Sequence, residues 1–210
     1  MNYNVKVLEN FLDKQDFDKL NQIDFDAAPD NGISNFHSEI DRNNEFVNTK
    51  ISNDTIRNIH IKYHKNLIKI LSEINPDKLE LYDYSIISIV KTGKNFKFPI
   101  HDDTPEKLLS GVVYLNPTTN VGTKFYSSQK SEPEKIIEWK KNRAVFFSRA
   151  ERETWHSYEG NSKEERKVLV YNLATRRLKE VFKIEKKNYL YGMTRFKANP
   201  IIYKFFKTVI

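Results

Sequence analysis

The chain has five histidines and no cysteine, so any metal it holds must be bound by imidazole and carboxylate, not thiolate. His101 opens the string His101-Asp102-Asp103. On an extended chain residues two apart project to one face, so His101 and Asp103 can aim together while Asp102 points away. A second candidate, His156, lies in Trp155-His156-Ser157. Two imidazoles and one carboxylate on a common face fill three corners of an octahedron and leave three open, the arrangement of non-haem iron centres. Imidazole nitrogen is a poor ligand for calcium or magnesium; zinc stays open on ligand type alone. Ten residues after His156 comes Arg166, in Glu165-Arg166-Lys167-Val168-Leu169-Val170. If Arg166 shares the inner face with Val168 and Val170, its charge requires an anionic partner, because an unpaired buried charge is costly. A dicarboxylate chelating the metal at one end and meeting the guanidinium fork at the other would satisfy it. With Arg166 turned to solvent and Lys167 inward, that argument falls.

The elements that must position these residues follow from periodicity. After Pro76 the apolar period changes from 3.6 to 2, and eight short β-type runs are predicted: 81–91, 96–101, 110–116, 123–126, 134–139, 144–148, 154–158 and 166–174. Turn signals such as Thr92-Gly93-Lys94, Asn116-Pro117 and Gly160-Asn161 separate them. Eight such strands predict a mainly β fold, an all-β barrel or two-sheet jelly roll. In a jelly roll the second and seventh strands are neighbours, which would set His156 beside His101 and Asp103. Upstream, residues 3–8 read as a strand and 14–23 as a helix capped by Asp13. Residues 53–75 carry apolar side chains at helical spacing after Ser52 or Asn53 as cap, and 24–50 read mostly as loop, with His37 solvated there or lining a substrate mouth. The expected layout is residues 1–78 as an N-terminal strand and supporting helices, 79–176 as the β core, and 177–210 as a basic, aromatic extension packed on it. Val112, Tyr114, Phe125, Phe146 and Val168, or their neighbours, are the expected walls of the barrel interior.

Composition narrows the function classes. Hydrophobic residues at 39% and aromatics at 13% describe a globular chain. No apolar run reaches the length of a membrane span, and the N-terminus lacks the pattern of a secretory signal. Absence of cysteine suits a reducing, cytoplasmic setting. The formal charge of +7 raises nucleic acid as a partner. Its spread along the chain, densest beyond residue 176, argues instead for solvated lysines.

The segments His101-x-Asp103, Leu108–Pro117 (LLSGVVYLNP), Gly122–Tyr126, His156 and Arg166 resemble the prolyl-4-hydroxylase-like branch of the 2-oxoglutarate/Fe(II) dioxygenase superfamily. The resemblance covers roughly residues 80–175. It implies a double-stranded β-helix (jelly roll) buttressed by N-terminal helices, with Fe(II) held by His101, Asp103 and His156. It also implies that 2-oxoglutarate is bound through Arg166, with Tyr84 and Tyr114 as candidate helpers. O2 would be the oxidant, ascorbate a compatible reductant, and hydroxylation the usual outcome. The DNA-alkylation-repair branch carries a second arginine six residues beyond the first; here Asn172 stands there. The expected substrate is small and polar or sugar-like. A protein side chain is also compatible, and nucleic acid is disfavoured. A cupin-like metal protein without oxygenase activity, an isomerase or sugar-binding module, is the alternative, and in it Arg166 would have no dicarboxylate to meet. Asp102 and Lys107 lie close to the metal pair and acquire no firm role from sequence, contact with a polar substrate being open to them. His60 and His64, four apart on the predicted helix, read as structural, and Glu151-Arg152-Glu153 as a solvated turn.

Overall fold

A computed structural model describes residues 4–49 and 54–206. The elements are β1 (Val5–Leu8), α1 (Lys14–Gln22), β2 (Ile33–Asp41), β3 (Phe46–Thr49) and α2 (Asp54–Ile74), then a 3-10 turn at Pro76–Leu81. Eight strands follow: β4 (Tyr84–Thr92), β5 (Lys97–His101), β6 (Lys107–Asn116), β7 (Thr123–Tyr126), β8 (Pro133–Ile137), β9 (Ala144–Phe147), β10 (Trp155–Glu159) and β11 (Arg166–Ala174). Two helices close the chain, α3 (Leu178–Ile184) and α4 (Tyr189–Phe206).

These eight strands divide four and four. A larger sheet has the order β1-β9-β6-β11-β4-β2-β3, and a smaller one the order β5-β10-β7-β8. Every pairing is antiparallel. The fold is thus mainly β, a double-stranded β-helix with helices laid on the outer face of the larger sheet.

Two cores form on the two faces of the larger sheet. Outside, Ile56, Ile59, Tyr63, Leu67, Ile70 and Leu71 of α2 pack on Ile87, Ile89, Leu109, Val113 and Leu169. Their spacing is the helical stripe that the sequence shows. Inside, between the sheets, Tyr114, Phe125, Ile137, Val145, Phe147 and Val168 form a smaller cluster. Asp13 caps α1 as expected, its Oδ1 accepting from the Asp16 amide at 2.8 Å. Ser52 and Asn53, the expected caps of α2, lie outside the described residues.

Three expectations are corrected. Residues 24–49 are half strand and half loop: β2 runs beside β4 over its whole length and carries β3 on its far side. Asn35, His37 and Glu39 share the less buried face of β2, where polar side chains do not weaken a strand, while Phe36 and Ile40 face the outer core. Phe146 does not line the interior; it packs in the outer core, and Phe147 takes the inner position. Glu151 is 2% exposed and ion-paired, not in a solvated turn.

Candidate metal centre

β5 and β10 are neighbours in the smaller sheet, with His101 directly opposite His156. Directly opposed residues on an antiparallel pair project to the same face, and the two imidazole rings lie with centroids 4.2 Å apart. Asp103 stands two residues beyond His101, just past the end of β5. One ligand atom from each of the three residues falls within 4.8 Å of the others, the only such group among the described residues.

Each imidazole is held in one tautomer. His101 Nδ1 lies 2.9 Å from the Pro99 carbonyl oxygen, and His156 Nδ1 lies 3.0 Å from that of Thr154. A carbonyl only accepts, so both Nδ1 atoms carry the hydrogen and both Nε2 lone pairs remain available to a cation. Burial, helped by the neighbouring His156, pushes His101 down to about 3, which keeps it an unprotonated ligand. The Asp103 carboxylate accepts from Lys107 Nζ at 2.5 Å and from Ser110 Oγ. Burial alone would raise its pKa, but the Lys107 ammonium and the two imidazoles outweigh that. They hold the carboxyl well below the usual carboxylate range. The donor set therefore fits a divalent transition metal: two imidazoles held by Nδ1 contacts, one ionised carboxylate and fixed orientation.

These residues open onto a cavity of about 190 Å³ between the sheets. Arg166, Val168, Val170 and Asn172 line it from alternate positions of β11, and Val112, Val145 and Phe147 complete the apolar wall. Arg166 is 2% exposed. Its guanidinium lies 4.6 Å from the ring centre of Tyr158, 5.3 Å from Trp139 and 5.9 Å from Tyr114. Its Nε has no hydrogen-bond partner, and no carboxylate among the described residues pairs with it. Burial lowers its pKa, as expected for a cation without a counter-ion.

The two possible orientations of the Arg166–Lys167 pair are resolved by where Lys167 goes. It crosses to the other face, and its Nζ donates to the carbonyls of Asn21 and Ile23 at 2.8 and 2.7 Å. Lys91, opposite it on β4, does the same to Phe25 at 2.6 Å. The two lysines tie down the chain after α1, which leaves Arg166 facing inward.

Other candidates are placed differently. Tyr114 stands behind the lining, its hydroxyl engaged with Thr123 at 2.8 Å. Tyr84 does not line the cavity; it lies at the far end of β4 under the Arg176 guanidinium, 5.1 Å away. Tyr158, Lys107, Ser110 and Asn172 line the cavity although no spacing rule in the sequence singled them out as site residues. His37 belongs to β2 and meets Ser88 at 3.0 Å, and His60 is a core residue against the Tyr171 hydroxyl at 2.8 Å.

No protein-family model matches the chain, and no curated protein matches it in sequence. Solved structures do match its fold. A prolyl-4-hydroxylase from Pseudomonas putida aligns at 13% identity over 83% of this chain and 94% of its own, with a TM-score of 0.56. An oxidoreductase of the 2OG-Fe(II) oxygenase family from Burkholderia pseudomallei aligns at 14% identity over 81% and 84%, with a TM-score of 0.57. A prolyl hydroxylase from Trichoplax adhaerens, in complex with a hypoxia inducible factor oxygen degradation domain peptide fragment, aligns at 14% over 84% and 86%, with a TM-score of 0.51. At such identities the likeness is one of fold: the chain has the two-sheet jelly-roll topology of these structures. No helix among the described residues is long and apolar enough to cross a membrane.

Proposed function

We propose that the chain is a non-haem Fe(II) dioxygenase that couples oxidative decarboxylation of 2-oxoglutarate to hydroxylation of a small, polar or sugar-like substrate. The observation that carries this reading is Arg166, a buried cation with no anionic partner, on the wall of the cavity that His101, Asp103 and His156 enter. A metal-binding cupin without a dicarboxylate co-substrate gives no account of that charge.

His101, Asp103 and His156 would hold the iron, which supplies the activation of O2 and of the co-substrate's keto-acid group. Arg166 receives the distal carboxylate, and the rings of Tyr158, Trp139 and Tyr114 keep the guanidinium in place beforehand. Preorganisation of that kind removes ordering cost from binding. Val112, Val145, Phe147 and Val168 exclude water from the space between. Six residues along β11 from Arg166, on the same inward face, Asn172 joins Lys107 and Ser110 in a polar group. That group supports a polar substrate.

An anaerobic titration tests the reading. Fe(II) and 2-oxoglutarate together should give a weak visible charge-transfer band that neither gives alone, and His101→Ala should abolish it. Absence of any 2-oxoglutarate-dependent band in the unmodified protein would overturn the assignment. A screen of polar metabolites by succinate release then sorts substrates.

A further inference from the structure

Behind the metal residues lies a group of six charged side chains that the chemistry above does not use. Asp102, Glu151 and Glu185 meet Lys78, Arg149 and Arg195, and each of these side chains is at most 3% exposed. Three acids balance three bases. Such burial is tolerable only with that balance and near-complete hydrogen bonding.

The contacts converge on the two segments that carry the metal ligands. Arg195, from α4, grips Asp102 in a bidentate fork, Nη1 to Oδ1 and Nη2 to Oδ2, both at 2.9 Å. Asp102 Oδ2 also accepts from the Arg152 amide at 2.9 Å. Arg149 donates through Nε to the main-chain carbonyl of Asp103 at 3.1 Å and through Nη2 to Glu151. Arg195 Nε reaches Glu151 at 2.9 Å. Asp102 sits between His101 and Asp103, and residues 149–152 lead into the strand of His156. The hub therefore bonds one half of the ligand set to the other through groups that never enter the cavity. α4 completes it and is seated a second time where Tyr203 stacks on Phe98, whose ring lies 4.4 Å from that of His101.

We propose that Asp102 and Arg195 are positioning residues for the metal centre: their bidentate pair, supplied by the C-terminal helix, sets the separation between the His101–Asp103 segment and His156. The inference rests on the proposed metal site, and it makes α4 a working part of that site and not an appendage. Partners that orient metal ligands typically influence affinity by about 10- to 100-fold, and this pair acts through backbone, so the lower figure is the expectation.

The test uses the full chain with Mn(II), read by the loss of its free-ion electron paramagnetic resonance signal, alongside thermal melting. Arg195→Met and Asp102→Asn should each weaken Mn(II) binding about tenfold in protein that remains folded. Lys78→Met is the control. It breaks the same hub at Glu185 and at the main-chain carbonyl of Arg149, leaving the Arg195–Asp102 fork in place, and should lower the melting temperature while keeping Mn(II) affinity within about twofold. Should Arg195→Met not fold, Arg195→Lys keeps the charge, loses the fork and reads the same quantity. Equal Mn(II) affinity in the unmodified protein and the Asp102 and Arg195 variants overturns the positioning role and leaves the metal reading intact. So does a loss in Lys78→Met as large as in the others. No Mn(II) binding by the unmodified protein removes both.

Discussion

Replacing Arg166 by Met separates a co-substrate anchor from a structural cation, because the two roles predict opposite signs for stability. Met replaces the aliphatic stem of Arg and carries no charge. In the folded protein the Arg166 guanidinium is out of water, with no carboxylate partner among the described residues and three aromatic faces within 5.9 Å. Desolvating an ion costs several kcal/mol even after relaxation, and desolvated cation–π contact returns about 2 kcal/mol or somewhat more. A residual penalty of about 1–2 kcal/mol remains. Removing the charge should therefore stabilise the co-substrate-free protein by that amount. At about 2–4 °C per kcal/mol for a chain of this size, the melting temperature should rise by roughly 2–8 °C.

Binding of 2-oxoglutarate should move the other way. Breaking one side of a buried carboxylate–guanidinium pair costs about 3–5 kcal/mol. That corresponds to a Kd raised between about a hundredfold and a few thousandfold. Differential scanning fluorimetry gives the first quantity. Anaerobic calorimetry with Mn(II)-loaded protein gives the second, with Mn(II) affinity itself unchanged. A variant that melts lower and binds 2-oxoglutarate as before would refute the reasoning, since Arg166 would then be a packed cation held by its aromatic neighbours.

Further outcomes follow from other parts of the structure. Lys107 shares Asp103 with the incoming metal, and like charges about 4 Å apart repel by several kcal/mol at an effective dielectric of about 20. Lys107→Met should therefore tighten Mn(II) binding by about tenfold or more in the same titration, and a weaker or equal affinity speaks against the electrostatic account. Gly122 admits no side chain, because a Cβ there would lie 1.7 Å from the Ile137 carbonyl oxygen where β7 pairs with β8. Gly122→Ala should cost about 1–3 kcal/mol in urea unfolding, and an unchanged midpoint would contradict the packing. His60 is pushed down to about 4, first by burial and then by His64, so the unfolded chain takes up a proton near pH 6.5 that the folded one refuses. Its contribution is present above about pH 6.5 and is lost as pH falls toward about 4, by up to about 3 kcal/mol. The urea midpoint of His60→Gln should fall less steeply across that window than that of the unmodified protein, and superimposable profiles would exclude the effect.

The eight core strands are legible because each is a short β-type run between turn residues, and all eight occur close to their expected limits. β2 and β3 are not, since Ser34, Asn35, Ser38 and Asp41 interrupt β2 and Asp and Asn crowd the turns beside both strands, and composition alone assigns such a stretch to loop. Phe146 and Phe147 show a different limit. β9 is buried at all four positions, so no alternation marks which ring faces the cavity and which faces the helices. The metal trio was legible because its chemistry demands particular residue types, and Arg166 because charge and apolar neighbours conflict there. The charged hub had no such signal. Its members at 78, 102, 149, 151, 185 and 195 share no spacing, and each alone resembles a surface charge.

The distribution of the site across the sandwich bears on what can fill it. Both histidines project from the smaller sheet, whereas Arg166, Val168 and Val170 project from the larger one. Facing sheets stand about 10 Å apart, so a molecule that joins a metal on one wall to a guanidinium on the other must carry an anionic group at each end of a short chain. It must also fit about 190 Å³ of mostly apolar surface. A monoanion would leave either a metal at the trio or Arg166 without its counter-charge, and the cavity of about 190 Å³ limits the bulk of a dianion. On the proposed reading, the sheet-to-sheet spacing, fixed by packing that has nothing to do with chemistry, would favour a short dicarboxylate before any specific hydrogen bond is considered.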